Sequence, residues 1–281
     1  MRALNPQTIR KAVQLALDED LDHGDVTTSA LFPRSIQARA AILAHQPMTV
    51  AGVAVAREVF LAVDPSLRIV KSINDGATVK PGTEVIVVRG DVRSLLMAER
   101  VAVNFLQQLS GIATLTAKFC AAIRHTETAI LDTRKTTPGL RALERYAVRC
   151  GGAYNHREDL SSAVLIKDNH VAAAGGVAAA IERARAYAPH TSRIECEVDT
   201  LAQLEVALAA GADIIMLDNF DDESTRTALA IAKGRCVIEV SGGITLARVH
   251  TLGALGVDVI SVGALTHSAP AVDLGLDWSV P

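Results

Sequence analysis

The sequence predicts an α/β protein in which an N-terminal α+β sandwich domain precedes an incomplete parallel α/β barrel of about seven strands. Three observations carry this. After residue 125, short apolar runs alternate with Ala-rich amphipathic stretches, the pattern of parallel βαβ units. The last four runs recur about every 20 residues, which leaves room for one strand, one helix and two tight loops. Before residue 110 the texture differs, with alternating segments separated by turn residues.

In chain order, Pro6 to Leu17 reads as a helix, followed by the acidic turn EDLDHGDVTT. Alternation over Ile36–Ala44, Leu67–Lys71 and Glu84–Arg89 predicts strands, the last two separated by DGATVKPG. Helical periodicity then covers Asp91–Gln108 and Ile112–Arg124, with a hinge expected at Ser110 and Gly111. The domain junction is placed there. Residues 1–110 form the N-terminal domain, rejoined by 266–281, and residues 111–265 form the barrel. Barrel strands are expected at Ala129–Leu131, Ala163–Ile166, Ile194–Val198, Ile214–Leu217, Val237–Val240 and Val257–Ser261, with a weaker candidate at Ala147–Cys150. That span is short for a full eightfold ring of ~250 residues, hence the incomplete barrel.

Composition excludes several classes. The 281 residues are 49% hydrophobic and 21% charged, which fits a globular chain with a real core and not a disordered one. A net charge of -3 and only 3% aromatic residues argue against nucleic acid as a partner. The apolar stretch Thr49–Ala56 is too short to span a bilayer, and the acidic N-terminal region is not that of a secretory leader. Cys120, Cys150, Cys196 and Cys236 lie in apolar runs without a CxxC pair and are expected as buried free thiols, so a cytoplasmic location is expected.

In a parallel barrel, the residues that follow each strand converge on one rim. Here they are Asp132, Thr133, Arg134 and Lys135, then Lys167 to His170, then Glu195, Glu197 and Asp199. Asp218 and Asn219, Ser241 to Gly243, and Gly263 and Ala264 complete the set. Between Asp132 and Arg157, six cations face two acids in a chain that is acidic as a whole. Arg141, Arg145 and Arg149 share one helical face and read as a solvated or interface stripe. Arg134, Lys135, His156, Arg157 and Lys167 flank strand ends and are the anion-binding candidates. SGGI and SVGAL follow the last two strands, where barrels grip phosphate through backbone amides. Glu197 and Asp218, on neighbouring strands, suit Mg²⁺ through waters or sugar hydroxyls. No His or Cys spacing points to zinc. A lysine beside a phosphate grip leaves Schiff-base lyase chemistry open, and a phosphometabolite-binding protein without catalysis is a further alternative.

EDLDHGDVTT, AERVAVNFLQQLSGIAT, LDTRKTTPGLR, GGAYNHREDLSSAVLIKDNH, MLDNF, EVSGGI and SVGALTHS together resemble the quinolinate phosphoribosyltransferase family over nearly the whole chain. TRKTTPGLR and LIKDNH are the most specific of these blocks. The resemblance implies transfer of phosphoribosyl from 5-phosphoribosyl-1-pyrophosphate to quinolinate with decarboxylation in NAD biosynthesis, with Mg²⁺ as cofactor. It assigns Arg134, His156 and Arg157, beside Thr133, to the dicarboxylate, and Lys135 and Lys167 to quinolinate or pyrophosphate. Glu197 and Asp218 take the ribose hydroxyls and Mg²⁺; Ser241, Gly242, Gly243, Val262, Gly263 and Ala264 take the 5-phosphate. It also implies a homodimer in which Arg100 completes the neighbouring subunit's site. A paralogous phosphoribosyltransferase with another acceptor is the nearest alternative. Cys196 and Asp199 depart from the family's usual residues, and HQPMTVAG is atypical, while Glu197 is kept.

Overall fold

The computed structural model describes residues 3–279. Helix α1 (Pro6–Leu21) starts where the Asn5 side chain accepts the Gln7 amide at 2.9 Å with Pro6 in the first turn, and it buries Ile9, Val13 and Leu17 along one face. The acidic segment expected as a turn is divided. Its first residues extend α1, and Asp25 caps a short helix α2 (Val26–Leu31) by accepting the Thr28 amide. Next come β1 (Gln37–Ala44), β2 (Met48–Thr49), α3 (Val53–Val63), β3 (Arg68–Ser72), β4 (Thr78–Val79), β5 (Glu84–Asp91) and the 31-residue α4 (Val92–Ala122).

Helix α4 passes through Ser110 and Gly111 without a break, so the expected hinge is absent. Both residues are there for packing. Ser110 Oγ accepts the Ala51 amide at 3.0 Å, and a side chain on Gly111 would collide with the Pro270 carbonyl. Small residues that read as a breaker in sequence are sites of close approach in the fold.

The remainder alternates. It runs β6 (Ala129–Leu131), α5 (Arg141–Cys150), β7 (Val164–Ile166), α6 (Asp168–Ala174), α7 (Val177–Tyr187), β8 (Ile194–Val198), α8 (Leu201–Ala209) and β9 (Ile214–Asp218). It ends with α9 (Asp222–Ala232), β10 (Val237–Ser241), α10 (Leu246–Leu255), β11 (Val259–Ser261), α11 (Ala264–His267) and β12 (Leu274–Ser279). Thr200, Asp221 and Thr245 cap α8, α9 and α10 through their side chains, so each helix starts soon after its strand.

The described residues pack into two compact units, one of residues 3–117, 136–152 and 265–279, the other of residues 118–135 and 153–264. In the first, β12, β1, β5 and β3 form an antiparallel sheet in that order. The C-terminal tail is tied to α4 by Gln107, whose amide donates to the Leu274 carbonyl at 2.9 Å and whose carbonyl accepts the Val272 amide. In the second, six parallel strands stand in the order β6-β11-β10-β9-β8-β7. Six strands, not seven, are present. The weak candidate Ala147–Cys150 is the end of α5, whose Arg141, Glu144 and Arg145 give it the 3.6-residue period of a helix. The seventh position is a single parallel bridge between Tyr154 and Leu131, on the free edge of β6. The ring is therefore open between Tyr154 and β7.

Two further expectations change. Arg145 is 6% exposed, so of the two readings of the arginine stripe, solvated or interface, the solvated one loses its middle residue. None of the four cysteines is in a disulfide, but only Cys150 and Cys196 are buried; Cys120 and Cys236 are partly exposed. Among the described residues, no helix is long and apolar enough to cross a membrane.

Candidate active site

Each barrel strand ends where its last inward side chain meets a cavity of about 380 Å³. Its lining is drawn from all six strand ends: Thr133, Arg134 and Lys135 after β6, Leu165 and Lys167 at β7, Glu197 on β8, Met216 and Asp218 on β9, Ser241 on β10, Ser261 on β11. His156 and Arg157 join them from beyond the Tyr154 bridge. The two-residue period of a strand explains the pairing. Leu165 with Lys167, Glu195 with Glu197, Met216 with Asp218 and Glu239 with Ser241 lie on one face, one deep and one at the rim.

The cavity is divided by charge. Cations come from β6, the 156–157 segment and β7, and carboxylates from β8 and β9. Lys167 Nζ reaches Glu197 Oε2 at 2.7 Å, joining the two sides. Asp218 Oδ2 accepts from Asn219 Nδ2 at 2.8 Å. Arg157 is anchored by donation from Nη1 to the Ala163 carbonyl at 3.2 Å, and the loop beyond it is closed by Ser162 Oγ, which accepts the Glu158 and Asp159 amides. Asp132, fully buried at the end of β6, accepts from Asn155 Nδ2 at 2.5 Å and from the His156 amide at 2.8 Å, and so fixes the segment that presents Arg157.

Beneath the rim lies a group that sequence reasoning only half found. Glu195 was counted among the rim acids, and Glu239 was missed. Both are buried, and each places Oε1 3.4 Å from His156 Nε2. Burial opposes a charged imidazole, but the two carboxylates outweigh it and push His156 up to about 10; burial also pushes the Glu195 carboxyl up. The three groups have the spacing of a metal site. The Arg157 amide nitrogen lies 2.6 Å from His156 Nδ1, and Nε2 faces the two carboxylates. The trio forms a charged floor beneath the rim. The signal for Glu239 was its place two residues before Ser241 on a barrel strand.

Not every expected residue lines the cavity. Gly242, Gly243, Gly263 and Ala264 follow Ser241 and Ser261 at the ends of β10 and β11 without lining it. Gly242 and Gly243 have φ of 88° and 57°, left-handed backbone that suits glycine. The Val262 amide donates to the Leu131 carbonyl at 2.9 Å, so it serves the β6 pairing and is spent for phosphate. Arg100 is exposed on α4 in the first unit, where it borders a separate cavity with Glu19, Asp20 and Asn104. Asp168, Asn169 and Asp199 do not line the barrel cavity.

Glu197 and Asp218 fit a hard divalent cation. They are two carboxylates on adjacent parallel strands at the cavity wall, the donor type for Mg²⁺ bound partly through water and phosphate.

Known proteins resemble this chain in sequence and fold. Residues 25–110 match the model for the quinolinate phosphoribosyl transferase N-terminal domain, and residues 112–277 match that for its C-terminal domain. The nicotinate-nucleotide pyrophosphorylase [carboxylating] of Mycobacterium leprae is 43% identical over 95% of this chain and 96% of its own. Quinolinate phosphoribosyltransferase [decarboxylating] 1b of Nicotiana tabacum is 42% identical over 95% of this chain and 81% of its own. The structure of the nicotinate-nucleotide pyrophosphorylase from Francisella tularensis superposes with a TM-score of 0.94 at 39% identity, covering 99% of this chain and 98% of that one.

Proposed function

The chain belongs to the quinolinate phosphoribosyl transferase family, and from that membership and its barrel cavity we infer that it transfers the phosphoribosyl group of 5-phosphoribosyl-1-pyrophosphate to quinolinate. Carbon dioxide is lost, and nicotinate mononucleotide and pyrophosphate are the products, a step of NAD biosynthesis. The observation that carries this is the charge division of the cavity: Arg134, Lys135, Arg157 and Lys167 on one side and the carboxylates of Glu197 and Asp218 on the other.

Quinolinate has two adjacent carboxylates. Arg134 and Arg157, with planar forks, suit bidentate binding of carboxylate, and Lys135 and Lys167 add point charges for the second carboxylate or for pyrophosphate. Thr133 and His156 complete that wall. Glu197 and Asp218 take the ribose hydroxyls and lie where positive charge develops at the anomeric carbon as its bond to pyrophosphate breaks. The lone pair of the pyridine nitrogen forms the new bond, and the electrons of the broken one leave with pyrophosphate. The pyridinium so formed accepts the electron pair left at carbon 2 when its carboxylate departs as carbon dioxide, and a proton then replaces it.

Glu197 and Asp218 would also hold Mg²⁺, which when bound offsets charge on the leaving pyrophosphate. The Ser241–Gly243 turn with Gly263 and Ala264 supplies amides for the 5-phosphate. Lys167 in an ion pair with Glu197 suits an anion ligand better than a Schiff-base nucleophile. Arg100 serves the neighbouring subunit's site in a homodimer, and four cysteines without a disulfide support a cytoplasmic setting. Incubation with phosphoribosyl pyrophosphate, Mg²⁺ and either quinolinate or nicotinate tests the reading. Quinolinate-dependent release of carbon dioxide is expected; turnover of nicotinate alone would overturn it.

A further inference from the structure

Asp218 and the Ser241–Gly243 turn stand on different strands, yet two residues with no place in the reaction above tie them together. Asn219 has φ of 55°, one of two described non-glycine residues in left-handed backbone. A branched or bulky residue would not persist there, and even asparagine spends stability on it. Its side chain uses that position in two directions. Nδ2 donates to Asp218 Oδ2 at 2.8 Å. Oδ1 fills the space above Gly242, where an added side-chain carbon would lie 2.7 Å from Asn219 Cγ and 2.9 Å from its amide nitrogen. The Asn219 amide continues the contact, donating to the Ser241 carbonyl at 3.1 Å.

Arg248, on α10 and 21% exposed at its side chain, closes the same junction from behind. Nη1 donates to the Gly242 carbonyl at 3.0 Å, and Nη2 donates to the Phe220 carbonyl. One planar guanidinium thus sets the spacing of the two loops, which a lysine could not do. Its Nε lies 3.7 Å from Asp222 Oδ1 at the start of α9.

We propose that Asn219 and Arg248 are positioning residues that hold Asp218 and the Ser241–Gly243 turn as one cradle for the phosphoribosyl donor. Donor affinity then depends on them and acceptor affinity does not, because the cationic wall lies on other strands. The proposal rests on the donor-site roles given above for Asp218 and the turn.

The test uses the full chain with Asn219→Gly, Arg248→Ala and Arg248→Lys, measuring thermal midpoint, kcat and the KM of each substrate. Glycine tolerates the left-handed backbone, so Asn219→Gly keeps the fold while removing the side-chain link. Each variant should raise the KM for phosphoribosyl pyrophosphate about tenfold, the effect of one lost hydrogen bond to a charged or fixed group, and leave that for quinolinate within about twofold. Millimolar guanidinium should restore part of the donor affinity of Arg248→Ala and none of that of Asn219→Gly. A folded Asn219→Gly with an unchanged donor KM, or equal rises in both KM values, overturns the cradle. If Arg248→Ala fails to fold, Asn219→Gly and Arg248→Lys decide in the same way. Wild-type protein that turns over neither substrate overturns the donor-site reading itself, a result distinct from variants that behave like an active wild type.

Discussion

Lys167 Nζ stands 2.7 Å from Glu197 Oε2 across the cavity, so a cation of one wall and a carboxylate of the other neutralise one another. Glu197 is the more buried partner, with a side chain 9% exposed against 46% for Lys167. A ligand cation or sugar hydroxyl at Glu197 and a carboxylate at Lys167 each compete with this pair.

Glu197→Gln should therefore divide binding from chemistry. Turnover should fall on the order of a hundredfold, the scale of losing one group that stabilises transition-state charge. Affinity for a non-reacting aromatic 1,2-dicarboxylate should hold or rise, because Lys167 is released. Calorimetry on the variant measures this, and a dicarboxylate affinity lost in parallel with kcat would sink it.

Arg157→Lys should be far from conservative. Lysine keeps the charge but loses both the fork and the Nη1 bond to the Ala163 carbonyl. The quinolinate KM should rise about tenfold or more, the value of a hydrogen bond to a charged group. The KM for the phosphoribosyl donor should stay nearly constant. Steady-state kinetics with each substrate varied in turn would expose an unselective effect.

The raised His156, facing Glu195 and Glu239, predicts an alkaline loss of stability. His156 is raised from its ordinary 6.5 to about 10, so its contribution is complete below about 6.5 and disappears as the pH rises through about 10. Above that, two buried carboxylates face a neutral ring, with Arg157 the nearby cation that acts on Glu195. Thermal midpoints between pH 6 and 10 should decline for the wild type and decline less for Glu239→Gln. Superimposable profiles would show that the trio does not titrate as described.

Gly111→Ala should destabilise the first unit without touching the cavity. The added carbon meets the Pro270 carbonyl and lies 3.2 Å from Ala271 Cα. Overpacking of this kind costs about 1–3 kcal/mol. Denaturant unfolding should show that loss, with substrate KM values unchanged in the folded protein; a variant as stable as wild type would refute the close-packing account.

Mixing inactive Arg100→Ala with inactive Arg157→Ala protein should restore part of the activity, since a mixed dimer has one site with neither substitution. The assay follows turnover after subunit exchange. No recovery from verified mixed dimers would show that Arg100 acts within its own chain or not at all.

Much of the site was legible because a parallel strand places its following residues on one rim regardless of their distance in sequence. Arg134, Lys135, Lys167, Glu197, Asp218 and Ser241 all reach the cavity that this rule predicts. Periodicity also located the six barrel strands to within about two residues, because apolar runs of that length have one use in such a pattern. It failed where one residue type serves two purposes. Ser110 and Gly111 read as a hinge and prove to be close contacts within an unbroken helix, and Ala147–Cys150 reads as a strand but belongs to α5.

What the sequence determined by itself was the chemistry available and the end of the barrel that would carry it, since strand period and polar punctuation are local properties. Tertiary structure alone decided which polar groups are shared. The meeting of His156 with Glu195 and Glu239, and of Asn219 and Arg248 with Gly242, depends on the spacing of separate strands and loops. Such distances arise from packing, and no periodicity along the chain encodes them.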